Sequence, residues 1–212
     1  MQPMSVPPTT ELSRNMAEQT WQRLQRGLSG VQLGRASDIS YADLYQNAYT
    51  LVLHKRGAKL YNGVSKVIQQ RLESVHANLR VAEQTEEVLP SVLREWRLHQ
   101  EIMRNISDVL LYMDSKYCRM QNKPVSRDMS YMHFGEYVLK PRYGQLRDEL
   151  LRRLRQERQG ERLEDALQIK DALQMLVEVE LGSFRRYDMH FETPFLEETR
   201  NFFCARAEVP PE

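Results

Sequence analysis

Catalysis and metal binding need particular side chains at particular spacings, and this chain carries the side chains without the spacings. Its five histidines, His54, His76, His99, His133 and His190, are scattered. None stands four residues from another or follows a paired-cysteine motif, the arrangements that bring ligands together around zinc. Cys118 has no histidine near it in sequence to take up a thiol proton, so it reads as a buried thiol and not as a nucleophile. Neither a glycine-rich phosphate loop nor a G-x-S-x-G turn occurs. The acid pairs Glu86–Glu87 and Glu197–Glu198 are ordinary for solvated helix surfaces. Arg147, Arg152, Arg153, Arg155, Arg158 and Arg162 make the one basic cluster that could grip phosphate. Asp148, Glu149, Glu157 and Glu161 are interleaved at helical spacing, which predicts pairing within the helix instead of an open basic stripe. These residues predict no catalytic group, no metal, no cofactor and no nucleic-acid partner.

The chemistry that does stand out is that of recognition. In the segment SYADLYQNAYTLVLHKRGAKLY, Leu44, Ala48, Leu51 and Val52 form one apolar stripe at the spacing that seats a helix in a core. Tyr41, Tyr45 and Tyr49 repeat at i, i+4 and i+8 beside it, a second stripe of three rings. A tyrosine ring supplies apolar contact area while its hydroxyl tolerates water, so such a stripe suits a protein interface. It equally suits a helix buried on two sides with its hydroxyls bonded to neighbours, and the spacing leaves both readings open.

The elements that must hold these residues follow a helical pattern throughout. Residues 1–12, with three prolines and no apolar period, read as an extended tail. Ser13 is a candidate N-cap for a helix carrying Trp21, Leu24, Leu28 and Val31 to a break near Gly34. Ser40 and Asp43 predict a capping box for the tyrosine helix, with Gly57 as its left-handed stop. Helical patterns follow through Leu60, Val64, Val67, Ile68, Leu72, Val75 and Leu79, then after Pro90 with Val92, Leu93, Trp96 and Leu98. A separate helix is predicted from Ile102 to Tyr117, with Arg104, Asp108 and Ser115 on its polar face.

Residues 121 to 130 read as a polar connector, Pro141 predicts a kink, and Leu146, Leu150, Leu151 and Leu154 face one way until Gly160. Leu163, Ala166, Ile169, Leu173 and Leu176 predict another helix ending near Gly182, and Thr193–Pro194 the start of a last one. No alternating β-branched run occurs, so the fold class is all-α, a helical bundle or solenoid.

Composition agrees. At 212 residues, with 41% hydrophobic and 28% charged side chains and a mean hydropathy of -0.62, the chain suits one sizeable core or two small ones. Thirty basic and 29 acidic side chains leave a net charge of +1, so no global field draws it to nucleic acid or anionic lipid. Apolar runs fall far short of the ~20 residues that span a bilayer, and no signal-peptide pattern opens the chain. A cytoplasmic or nuclear setting follows as an expectation, with no membrane partner and with Cys118 and Cys204 as small buried hydrophobes instead of a disulfide.

The run SYADLYQNAYTLVLHKRGAKLYNGV also resembles the second helix and following turn of the cullins, most of all their cullin-3, BTB-binding type. The likeness extends through WQRLQRGL at Trp21, ISDVLLYMDSKY at 106–117, RQERQGE at 155–161 and YDMHFETPFLEETRNFF at 187–203. It implies a stalk of five-helix repeats within a multisubunit ubiquitin ligase: residues 13–120 as the first, adaptor-binding repeat and residues 121–212 as the incomplete start of the second. It implies a noncatalytic scaffold, with the RING protein and the ubiquitin-charged E2 held only through a C-terminal part beyond this segment. The expected partner is a BTB-domain adaptor. The chain alone should be a monomer, reaching a 2:2 assembly through a dimeric BTB partner.

Residue by residue, the resemblance places Ile39, Tyr41, Tyr45, Tyr49 and Lys55 on one side of the adaptor surface and Tyr112 on the other. Two positions depart from the family pattern, Ala42 where an acid is frequent and Ser115 where a base is usual, which bears on adaptor preference. No residue of the tail matches well enough to be assigned a role. Two alternatives stand beside this reading: a Skp-type adaptor bound on the same fold, and a helical nucleic-acid-binding protein using the arginines of residues 142–162.

Overall fold

The computed structural model describes residues 13–35, 40–84, 87–160 and 166–207, and among these every regular element is helical. Helix α1 spans Arg14–Gln32, α2 Tyr41–Leu53, α3 Gly57–Ala82 and α4 Val88–Val109. A π-helical segment, Met113–Cys118, comes next, followed by α5 (Ser126–Phe134). A second π segment, Gly135–Leu139, and a 3-10 turn, Lys140–Arg142, lead into α6 (Tyr143–Arg158). Next come α7 (Ala166–Glu178), the short α8 (Arg185–Tyr187), a third π segment (Asp188–Glu192) and α9 (Thr193–Ala207).

The two predicted N-caps do what their chemistry requires. Ser13 Oγ accepts from the Met16 amide at 3.2 Å and Ser40 Oγ from the Asp43 amide at 3.2 Å, each satisfying an amide that the helix start leaves unbonded. Pro141 sits in the 3-10 turn between a π segment and α6, where the missing amide forces an irregular turn. Gly34, at φ 72°, ends α1 as expected.

Other local expectations are corrected. Gly57 does not stop α2. The left-handed residue there is Lys55, at φ 59°, while Gly57 opens α3. Glycine is needed at 57 because a Cβ would overlap the Tyr117 ring, so close approach and not backbone freedom selects it. Pro90 lies in the first turn of α4, where no amide donor is required, and the helix expected after it is continuous, as far as Val109, with the separate one expected from Ile102. On that helix Leu98 is exposed, not core.

The polar connector after residue 120 is shorter than 121–130, because α5 already begins at Ser126. Thr193 is not an N-cap but continues a helix, with φ −58° and ψ −52°. Val52, Leu154 and Leu173 are half-buried, Ala166 is exposed, and Cys204 is exposed where a buried residue was expected. Leu163 and the 1–12 tail lie outside the described residues.

The described residues group into two compact units that interleave along the chain. The first draws on the described residues within Met1–Arg71 and Gln100–Met129, the second on those within Leu72–His99 and Ser130–Glu212. In the first, α1 packs on α2, and Gly63 of α3 lies so near the Trp21 ring that a Cβ would overlap it. Its core includes Leu24, Leu28, Leu44, Ala48, Leu51, Leu60, Ile106, Leu110 and Met113, all buried; each large aliphatic group removed from water contributes about 1.5–3 kcal/mol.

The second unit centres on Trp96, with the rings of Tyr131 and Phe134 at 4.7 and 4.8 Å, and on Phe134, Val138, Leu146, Leu150 and Met175, all buried. It also buries Arg142, 2% exposed, which donates to Val138 O at 2.9 Å and His76 O at 3.1 Å and pairs with Glu83. No described helix is long and apolar enough to cross a membrane.

Candidate protein-interaction surface

Helix α2 owes its orientation to its apolar stripe. Leu44, Ala48 and Leu51 are buried, and Leu44 fits against Gly27 of α1, where a Cβ would collide with its methyls. With that stripe inward, the tyrosines at positions 41, 45 and 49 fall on the adjoining flank, by the 100° step of an α-helix. Tyr45 is 36% exposed, and Tyr41 and Tyr49 are half-buried.

Tyr112 reaches the same flank from the short stretch between α4 and the π segment. Val109, Leu110 and Met113 around it are buried, which turns the half-buried Tyr112 toward α2, and its ring lies 4.5 Å from that of Tyr49. Tyr49 in turn lies 6.3 Å from Tyr45 in a stacked arrangement. Tyr45, Tyr49 and Tyr112 therefore form one aromatic ladder, built from residues that the sequence separates widely. Aromatic pairs at these distances contribute ~0.5–1.5 kcal/mol beyond their buried area, and they hold each ring in place before any partner arrives.

Tyr41 lies one turn before this ladder. Lys55, exposed, lies beyond the C-terminal end of α2, so the row from Tyr41 to Lys55 runs about 20 Å at 1.5 Å per residue. Ile39 lies outside the described residues. Ala42 and Ser115, the two departures from the family pattern, are both exposed. On the opposite flank of the core stripe, a groove of about 430 Å³ is lined by Arg23, Asp43, Gln46 and Asn47 among others; polar residues at 43, 46 and 47 were a signal for it that spacing alone left unread.

A second feature escaped sequence reading. Asp114 stands in the apolar row Leu110, Met113, Tyr117, Cys118, and a carboxyl group in such a row is a signal for a buried, bonded acid. In the structure it accepts from the Ser126 amide at 2.9 Å, from Ser126 Oγ at 2.6 Å and from Cys118 Sγ at 3.7 Å. Burial pushes its carboxyl above the usual carboxylate range, and the Ser126 bonds pull it partly back. Burial also pushes the Cys118 thiol up to about 12, with the neighbouring Asp114 adding to the shift, so Cys118 stays protonated and is no nucleophile.

Among the described residues no group of three or more histidine, cysteine, aspartate or glutamate side chains is placed to hold a metal ion. The arginine cluster pairs, but mainly across elements and not within its helix as the spacing predicts. Arg153 reaches Glu87 at 2.6 Å as well as Glu149 at 2.7 Å; Arg155 reaches Glu198 at 2.8 Å; and Arg158 lies over the Phe195 ring at 5.0 Å. Only the tertiary fold brings residues 87 and 198 beside α6. Arg162 lies outside the described residues.

Comparison with known proteins covers nearly the whole chain. The family described as the cullin alpha solenoid domain matches residues 21–209. Cullin-3 of Caenorhabditis elegans is 34% identical over 188 residues, which cover 87% of this chain and 24% of that protein. Cullin-3 of Dictyostelium discoideum is 31% identical over 198 residues (91% of this chain, 25% of that protein), and cullin-3A of Arabidopsis thaliana 31% over 194 residues (88% and 25%). The chain thus spans about a quarter of the length of the curated relatives it matches.

Proposed function

The chain belongs to the cullin family, and from that premise we propose that it is the adaptor-binding part of a cullin-3-like ubiquitin-ligase scaffold, holding a BTB-domain protein on the face formed by Tyr41, Tyr45, Tyr49, Lys55 and Tyr112, with Ile39 extending it. The observation that carries this reading is the aromatic ladder. Two tyrosines of α2 and one from beyond α4 converge on one partly exposed flank, while the residues beneath them are fully committed to the core. Interface energy concentrates in such rigid aromatic anchors, each removal costing ~2 kcal/mol or more at a hot spot.

The proposed mechanism is positional. Residues 13–120 act as the first repeat and residues 121–212 as the start of the second, in a cytoplasmic or nuclear ligase whose RING protein and E2 are held by a more distant part. A stiff helical stack fixes where the bound substrate stands, and proximity raises the effective concentration of its acceptor lysine. The scaffold itself performs no bond-making step. Monomeric alone, it would enter a 2:2 complex through a dimeric BTB protein.

Titration calorimetry against a panel of BTB proteins and a Skp-type adaptor tests this. A BTB protein should bind, and the Tyr45→Ala, Tyr49→Ala double variant, with unchanged helicity by circular dichroism, should not. Binding indifferent to the two substitutions would remove the surface from consideration. Binding to the Skp-type adaptor alone would reassign the partner.

A further inference from the structure

The ladder depends on Tyr112 being presented at one azimuth, and the chain immediately after it is not α-helical. In the π segment Met113–Cys118, bonds close over i→i+5, so residues five apart come nearly above one another, whereas in an α-helix they point ~140° apart. Tyr112 borders this segment and Tyr117 lies inside it, five residues on. Tyr112 meets Tyr49 of α2, and Tyr117 covers Gly57 at the start of α3 with its ring 6.0 Å from Tyr61. A regular α-turn would let only one of the two rings keep its place.

A π turn is a poor hydrogen-bonding arrangement and persists where something outside the helix holds it. The side chain placed to do so is Asp114. Its carboxyl takes both the amide and the hydroxyl of Ser126, the buried first residue of α5, and Ser107 Oγ lies 3.2 Å from the same hydroxyl. The bond to Ser126 N also caps the start of α5, where amides lack helical partners. The two ends of the connector at residues 121–125 are thereby tied together at one buried point.

We infer that Asp114 is a positioning residue for the adaptor surface: by bonding Ser126 it holds the π segment that aims Tyr112 at Tyr49, without touching the partner. This rests on the adaptor reading for its consequence, though not for its geometry. The test uses the whole chain with Asp114→Ala, Tyr112→Ala and the two combined. Nuclear Overhauser contact between the Tyr49 and Tyr112 rings is read by NMR, and affinity for a BTB protein by calorimetry.

Asp114→Ala should keep its helicity, lose the ring contact and weaken binding about tenfold, the scale of one mis-set anchor. Added to Tyr112→Ala, it should weaken binding no further, because the ring it aims is gone. An intact ring contact in Asp114→Ala overturns the inference, as does an equal additional loss in the Tyr112→Ala background, which would mark a general loss of stability. If Asp114→Ala fails to fold, Ser126→Ala substitutes for it. That variant keeps the amide bond and should show a smaller loss that again vanishes without Tyr112; unchanged binding and ring contact in it overturn the inference too. Should no BTB protein bind even the unaltered chain, the adaptor reading falls, and the ring contact in Asp114→Ala still decides the role of Asp114.

Discussion

Helix α2 and helix α6 both advertise themselves in the sequence, one with tyrosines and the other with arginines, and the structure uses them in opposite ways. The arginines of α6 and of the turn before it are drawn inward or tied down. Arg153 and Arg142 are buried, Arg155 and Arg158 pair with Glu198, and Arg158 also lies over the Phe195 ring. The tyrosines of α2 keep part of each ring open, and the rings of Tyr45, Tyr49 and Tyr112 lie in a row. The physical reason lies in the cost of leaving each group alone. A buried guanidinium without a carboxylate is severely destabilising, so the fold has to answer it internally; a half-exposed tyrosine ring is tolerable without a partner, so it is left available for one.

This contrast breaks down if the two faces respond alike to truncation, and the largest difference should come from Arg142. Arg142→Ala leaves Glu83 and His76 without their partner in the second unit and should cost about 3–5 kcal/mol in urea unfolding, whereas Arg142→Met should cost less because it refills the volume without a charge. On the other face, the Tyr45→Ala, Tyr49→Ala pair should cost the proposed interface ~2 kcal/mol or more in calorimetry. Its unfolding free energy should fall by only about 1 kcal/mol per ring, since neither ring is fully buried. Gly63→Ala should cost about 1–3 kcal/mol, because the rigid Trp21 indole stands where the new methyl must go. The smallest effect should be that of Arg155→Ala, whose exposed ion pair is worth about 0–1 kcal/mol and fades with salt.

One pH dependence sharpens the same comparison within the first unit. The folded-state pKa of Cys118, about 12, lies above the ordinary 9.0, so the unfolded chain loses its thiol proton first as pH rises. Stability that is fully present below pH 9 should be lost progressively between 9 and about 12. Cys118→Ala should flatten that alkaline limb in denaturant titrations, and an unchanged slope would place the loss elsewhere.

Much of the fold was legible in the residues because helices are specified locally. The caps at Ser13 and Ser40, the core stripe Leu44–Ala48–Leu51 and the irregular turn at Pro141 each follow from chemistry within one or two turns. Reading failed where the deciding atom lies far away in sequence. Gly57 looked like a stop signal and is a seat for Tyr117, and Pro90 looked like a boundary and is a first-turn residue. The arginine cluster looked self-paired; Arg147 and Arg153 do pair with Asp148 and Glu149 of their own helix, but Arg153 also reaches Glu87 and Arg155 reaches Glu198.

The sequence by itself determined that the chain is helical and that a tyrosine stripe flanks the core stripe of α2, because periodicity and capping are properties of neighbouring residues; its likeness to the cullins rested on matched runs of residues, not on periodicity. Only the tertiary structure decided that Tyr112 joins Tyr45 and Tyr49 in one ladder and that Asp114 holds the turn beside it, since both need backbone segments many residues apart to arrive within hydrogen-bonding or ring-contact distance. No local pattern encodes that meeting; it is set by how the buried faces of the helices fit together.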